Sequence, residues 1–149
     1  MRPVYKIALI AFSSIPLAAV SPVQVASIAS FTVPLSGREE VNIAHPSGGT
    51  GDPKASGMVK LSIDPQNKQV CYDFKLSGAG EPMMAHIHEG GPLRNGPPVI
   101  ILFTGTGMSL ADCAPSTRSQ LSDIVADPSH YYVSIDTTEF PDGALRGQL

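Results

Sequence analysis

The stretch VKLSIDPQNKQVCYDFKL, residues 59–76, decides the fold class. Val59, Leu61 and Ile63 alternate with Lys60 and Ser62, and Val70, Tyr72, Phe74 and Leu76 alternate with Cys71, Asp73 and Lys75. Successive side chains of an extended chain point to opposite faces, so each run lays an apolar face on a core and a polar face toward water. Between the runs, Asp64-Pro65-Gln66-Asn67-Lys68 is turn chemistry: proline fixes its φ, and Asp and Asn bond back to the local backbone. The two runs are therefore predicted to pair as an antiparallel hairpin. Cys71 falls on the outward face, where a bridge to a neighbouring loop is easy to make.

Working outward, strands are predicted at 31–35, 83–88, 99–103, 131–137 and 144–149. The run at 99–103 is continuously apolar, as suits a central strand. The segment EGGPLRNGPP, 89–98, is a loop by composition, and PDG at 141–143 is a turn. One helix interrupts the pattern. Thr117 with Gln120 three residues on forms a capping box, Leu121, Ile124 and Val125 make an apolar stripe, and Pro128 follows its end. The Gly-, Ser- and Pro-rich segment 36–57 reads as a connection. About seven short strands in one domain predict an all-β, Greek-key β-sandwich or barrel with one short helix.

The start of the chain has different chemistry. Arg2 and Lys6 precede an apolar run from Ile7 to Val20, and Ser27 and Ala29 are the small residues a signal peptidase needs three and one positions before its cut. The expectation is a secretory signal peptide over 1–29 and a folded domain over 30–149, periplasmic or secreted, with no transmembrane segment after cleavage. The 149-residue chain carries 10 Lys and Arg against 13 Asp and Glu. Removing Arg2 and Lys6 leaves a net charge of about −5. An acidic chain without a basic cluster or any tryptophan argues against nucleic acid and anionic membranes as partners. The two cysteines, Cys71 and Cys113, are expected to form a disulfide in an oxidising compartment. Closing a loop of that length contributes at most about 4 kcal/mol in the loop-entropy treatment.

The sharpest chemical motif is AHIHEGG, residues 85–91. His86 and His88 share one strand face and present two imidazoles side by side, a ready pair of ligands for copper or zinc. A third ligand has to come from elsewhere, and His45, His130, Asp136 and Glu89 are the available candidates. The competing reading is structural, with the histidines donating to backbone carbonyls and fixing the following loop. Tyr132, Ser134 and Asp136 share a face of the later strand, so Asp136 is placed to approach His86 or His88 as a ligand or as a hydrogen-bond acceptor. Arg146 is a candidate anion binder, or the partner of Asp136, Glu139 or Glu89 in an ion pair. Met83 and Met84 point to opposite faces, and their default role is packing. Nucleophilic catalysis has little support, because no GxSxG elbow is present. GGTG at 48–51 also lacks the Lys-Ser/Thr and the helix of a phosphate loop.

Three stretches together resemble the CHRD (chordin) domain family, in its bacterial exported form. FTVPLSGREEV, 31–41, matches its opening strand and Leu-Ser/Thr-Gly-x-x-Glu-Val turn. AHIHEGGPLRNGPPVIILF, 85–103, matches its Ala-His-Ile-His-x-Gly segment and the strand that follows. YYVSIDTTEFPDGALRGQL, 131–149, matches its Tyr-Val-x-Val-His-Thr … Arg-Gly-Gln ending, with Asp136 where the family has histidine. The resemblance implies an immunoglobulin-like β-sandwich and no established biochemical activity. A fainter likeness joins His86, His88 and Arg146 to the copper-site pattern of Cu/Zn superoxide dismutase, in which an arginine guides the anion. There too a histidine is missing at position 136. The expected function is a non-enzymatic binding or interaction module, its partner a protein or a metal ion. The alternative is a copper-dependent, dismutase-like metalloenzyme.

Overall fold

A computed structural model describes residues 27–42 and 47–149. Most of the expected targeting segment, and His45, lie outside them. The strands are β1 (Ala29–Ser36), β2 (Ser56–Asp64), β3 (Gln69–Ser77), β4 (Pro82–Glu89), β5 (Pro98–Thr104), β6 (Ala111–Pro115), β7 (Tyr131–Thr137) and β8 (Leu145–Gln148). Helix α1 (Arg118–Ala126) and a 3₁₀ turn at Pro128–His130 join β6 to β7. The β2–β3 hairpin forms in the register the alternation demands, from Asp64 opposite Gln69 to Ser56 opposite Ser77. Its turn is held by Asp64, whose Oδ1 accepts the N–H groups of Gln66 and Asn67, both at 3.0 Å. The buried face of the hairpin carries Val59, Ile63 and Val70, each worth about 2 kcal/mol relative to exposure.

All strands belong to one antiparallel sheet in the order β5-β4-β7-β8-β1-β2-β3-β6. Adjacent strands such as β4 with β7, β8 with β1 and β3 with β6 are far apart in sequence, which is Greek-key connectivity. The sheet curls until its two ends, β5 and β6, approach each other without pairing, so the molecule is a nearly closed barrel. Its interior is filled by alternate residues of every long strand, among them Leu61, Phe74, Ile87, Val133 and Ile135.

Two expectations need correction. The chain from 111 to 115 is a strand, giving eight where seven were predicted. Cys113 lies on that strand, directly opposite Cys71, with Cα atoms 3.9 Å apart. The disulfide therefore joins two paired strands instead of tying a strand to a loop. The helix is as predicted: Thr117 Oγ1 accepts the N–H of Gln120, Gln120 Oε1 accepts the N–H of Thr117, and Leu121 and Ile124 are buried. Gln120 also donates to the carbonyl of Val99 on β5, fastening α1 across one end of the sheet. Ala29, the residue expected before the signal cut, opens β1 opposite Ile63.

One feature of the fold positions the site. Strand β7 is buried on both faces. Val133 and Ile135 point into the barrel, while Tyr132, Ser134 and Asp136 point outward and are covered. The cover comes from more than one connection: Glu40 after β1 meets Ser134, Asn95 and Gly96 after β4 meet Tyr132, and Asp52 of the β1–β2 connection is tied to the sheet by its N–H to the carbonyl of Ala144.

Candidate functional site

The outward face of β4 and β7 forms the floor of an open depression of about 580 Å³. His86 and His88 reach it from β4, and Tyr132, Ser134 and Asp136 from β7. These strands pair directly, with His88 opposite Tyr132 and His86 opposite Ser134. The walls come from three connections: Glu40 and Asn42 after β1, Asn95 and Gly96 after β4, and Pro141 and Asp142 before β8. Residues remote in sequence meet there because the sheet order places β4, β7 and β8 side by side.

The imidazoles of His86 and His88 lie 5.5 Å apart, edge to face. His88 Nδ1 is 2.9 Å from the carbonyl of Gly96, which can only accept, so Nδ1 carries the proton and the neutral ring keeps a lone pair on Nε2. Its ring also stacks on Tyr132, 4.8 Å between centroids. Burial, and in second place the neighbouring His88, push His86 below the usual histidine range. Burial also lowers His88, against the hydrogen bond to Gly96. Both rings are thus neutral at neutral pH.

Asp136 Oδ2 lies 3.9 Å from His86 Nδ1, too far for a hydrogen bond. Only 8 % of the residue is exposed. Burial, then the charges of Glu40 and Asp142, push its carboxyl up to about 7. Glu40 is also raised, chiefly by burial, although Ser134 Oγ donates to it at 3.2 Å and Arg146 lies within electrostatic reach. The close seating of Glu40 depends on Gly143, whose φ of +122° suits glycine and where a Cβ would stand 2.8 Å from the Glu40 Cγ.

Arg146 stands beside the depression and is only 2 % exposed. Its guanidinium lies 3.4 Å over the Tyr132 ring and donates to the carbonyls of Gly91 (2.9 Å) and Arg94 (3.0 Å). Gln148 donates to the carbonyl of Gly90, and Tyr132 Oη bonds Asn95 and Gly96. Strand order puts Tyr132 between His88 and Arg146, so a layered His-Tyr-Arg stack clamps the 90–96 loop onto the sheet. Gly96 has no room for a Cβ against the carbonyl of Glu89, which lets the loop come down close enough to be held.

The residues singled out from sequence are thus distributed unevenly. His86, His88 and Asp136 come together, and His88 also performs the bracing role weighed as its alternative. Arg146 makes no ion pair with Asp136, Glu139 or Glu89; its bonds go to carbonyls, and Glu40 and Glu39 are the acids within electrostatic reach. His130 pairs with Asp127 at 2.6 Å on the surface, away from the depression. Glu89, Met83 and Met84 do not line it. Among the described residues no group of three or more His, Cys, Asp or Glu is arranged to hold a metal ion. Sequence reasoning missed Glu40, Asn42, Asn95 and Asp142; the one signal was Glu40 in the Leu-Ser-Gly-x-x-Glu-Val turn, which carried no assigned role.

No curated protein and no solved structure matches the chain. The family model described as CHRD domain matches residues 31–149. That span includes the first strand almost entire, the disulfide, the histidine pair, the carboxylates around it and the Arg146 clamp, and so this chain belongs to the CHRD domain family.

Proposed function

We propose that the chain is an exported, periplasmic or secreted, non-enzymatic binding module, and that it binds at the depression over β4 and β7. The observation that carries this reading is an open depression lined by polar side chains, in which neither hydroxyl stands free as a nucleophile. The hydroxyl of Ser134 is engaged by Glu40, and that of Tyr132 by Asn95 and Gly96. Binding sites of this kind are commonly preformed on a scaffold, with a few polar groups fixing orientation. The disulfide suits an oxidising compartment, and with the charged-then-apolar start of the chain it supports export.

A second reading adds a transition-metal ion, copper or zinc, on His86 and His88 with Asp136 as the third ligand. It is favoured by His88, whose Nδ1 bond to Gly96 fixes the tautomer and leaves Nε2 free toward a ligand. The dismutase-like alternative has no such support: Arg146 is sealed beneath the 90–96 loop, where it cannot guide an anion. The test is elemental analysis of the disulfide-intact protein after exposure to copper and zinc and desalting, beside His86→Ala/His88→Ala. Near one metal per chain, lost in the variant, supports the metal site; no metal in either removes it. Metal-dependent dismutation of superoxide by the loaded protein would overturn the non-enzymatic reading.

A further inference from the structure

We infer that Asn95-Gly96 is a self-modification site, at which the Gly96 amide nitrogen attacks the Asn95 side-chain amide while the Tyr132 hydroxyl relays the proton. The inference does not depend on what the depression binds.

The first argument is geometric. Tyr132 Oη donates to Asn95 Oδ1 at 3.0 Å and accepts the N–H of Gly96 at 3.2 Å. One hydroxyl therefore touches both the electrophile and the nucleophile of a single reaction. The pair is held from both sides: Arg146 donates to the carbonyl of Arg94 at 3.0 Å, and His88 Nδ1 to the carbonyl of Gly96 at 2.9 Å. The Tyr132 ring is itself fixed between His88 and Arg146. Reacting groups held in position in this way spare the step much of its entropic cost. Asn95 is the one asparagine of the chain that glycine follows, so no side chain shields the attacking nitrogen. Asn95 is also exposed, which lets water in and ammonia out.

The second argument is chemical. As the Gly96 nitrogen bonds to Asn95 Cγ, its proton passes to Tyr132 Oη and the hydroxyl proton passes to Asn95 Oδ1. Tyr132 ends as it began, so the step calls for no ionised side chain. The tetrahedral carbon then re-forms its carbonyl, giving the Oδ1 proton to the side-chain nitrogen, which leaves as ammonia. The product is a cyclic succinimide, and water opens it at either carbonyl to aspartate or isoaspartate. No oxidant and no reactant other than water is consumed. Either acid places a carboxylate on the wall of the depression where a neutral amide stood. Isoaspartate also carries the main chain through the side chain, adding a methylene between two carbonyls that Arg146 and His88 hold at ordinary spacing. The wall thus changes its charge and its fastening with the age of the protein.

The experiment incubates the disulfide-intact protein at neutral pH and follows Asn95 by mass spectrometry of the peptides that span it. The same chain kept unfolded in guanidinium chloride is the reference. The variant is Tyr132→Phe, which retains the ring between His88 and Arg146 and removes only the hydroxyl. Asn95 is expected to convert faster in the folded protein than in the unfolded chain. Tyr132→Phe is expected to slow the folded conversion at least about tenfold, a modest share of what positioned proton transfer contributes. Conversion in the folded protein no faster than in the unfolded chain overturns the inference. So does a Tyr132→Phe protein that converts as fast as the parent or faster, because the hydroxyl then holds the pair without activating it. Should Tyr132→Phe fail to fold, the comparison of folded and unfolded parent decides alone.

Discussion

The β2–β3 hairpin and the β4–β7–β8 face are built on the same period-two pattern and end in opposite situations. On the hairpin the outward residues reach water: Lys60 and Lys75 are exposed, and Asp73 meets Lys75 at 2.9 Å on the surface. On β7 the outward residues Tyr132, Ser134 and Asp136 are buried as well as the inward ones, though Asp136 keeps an edge on the depression. Alternation specifies a strand and its core face. It does not specify whether the second face meets water or a roof. A second face that is covered yet remains polar carries side chains whose burial costs stability.

The comparison sharpens if each region is broken separately. Cys71→Ser/Cys113→Ser should cause the largest loss, up to about 4 kcal/mol in chemical denaturation, while the His86 and His88 resonances of the still-folded protein stay in place. Coupled shifts at the histidines would show that the two regions are not independent. Arg146→Ala should lose about 3 kcal/mol, because it removes the stack on Tyr132 and leaves the carbonyls of Gly91 and Arg94 without their donor. Hydrogen exchange should accelerate first in 90–96; uniform acceleration would contradict a local clamp.

Asp136→Asn should stabilise the protein, with a pH dependence whose sign follows from the carboxyl. The folded chain holds a proton up to about pH 7 that an aspartate of ordinary value 3.8 has already released. Stability is therefore lost as pH rises between those values, and the asparagine variant escapes that loss. The gain should be about 2 kcal/mol at pH 8 after solvent screening, and absent at pH 4 and below. The histidines act in the opposite sense. Both are lowered from 6.5, so the fold resists their protonation and stability falls as pH drops through that range. Glu40, also raised by burial, opposes the histidines in the same sense as Asp136, so with the Asp136 carboxyl removed the melting temperature should rise more from pH 5 to 7 in Asp136→Asn than in the parent chain; identical profiles would contradict the raised Asp136 carboxyl. Lys75→Ala, on the water-facing hairpin, should change stability by no more than about 0.5 kcal/mol.

Legibility in the sequence divides along the same line. The hairpin, the helix cap and the histidine pair are local signals, and each was read from residues at most a few positions apart. Strand β6 was not legible: Ala-Asp-Cys-Ala-Pro has no alternation, is largely exposed and ends in proline. It is extended because β3 offers a free edge and Cys113 is bonded to Cys71 across it. Asp136 was placed near His86 because both lie on strands with a clear polar face. Glu40 was out of reach for a different reason. It sits on a connection whose path depends on bonds to residues near 144, and no local pattern encodes that crossing.

Strand β8 is four residues long and lies near the middle of the sheet, between β7 and β1. Ser36 pairs with Arg146 across about 110 residues of chain. Contacts this distant in sequence form late, since the ordering cost of the intervening chain has to be met first. The two halves of the barrel are thus stitched together by the last strand, and the same strand delivers the guanidinium that holds the 90–96 loop. A growing or truncated chain that stops before residue 145 already contains both histidines and Asp136, yet has no clamp over them. Until the last strand is in place the 90–96 wall of the depression is not held down, so the depression is completed only with the whole domain.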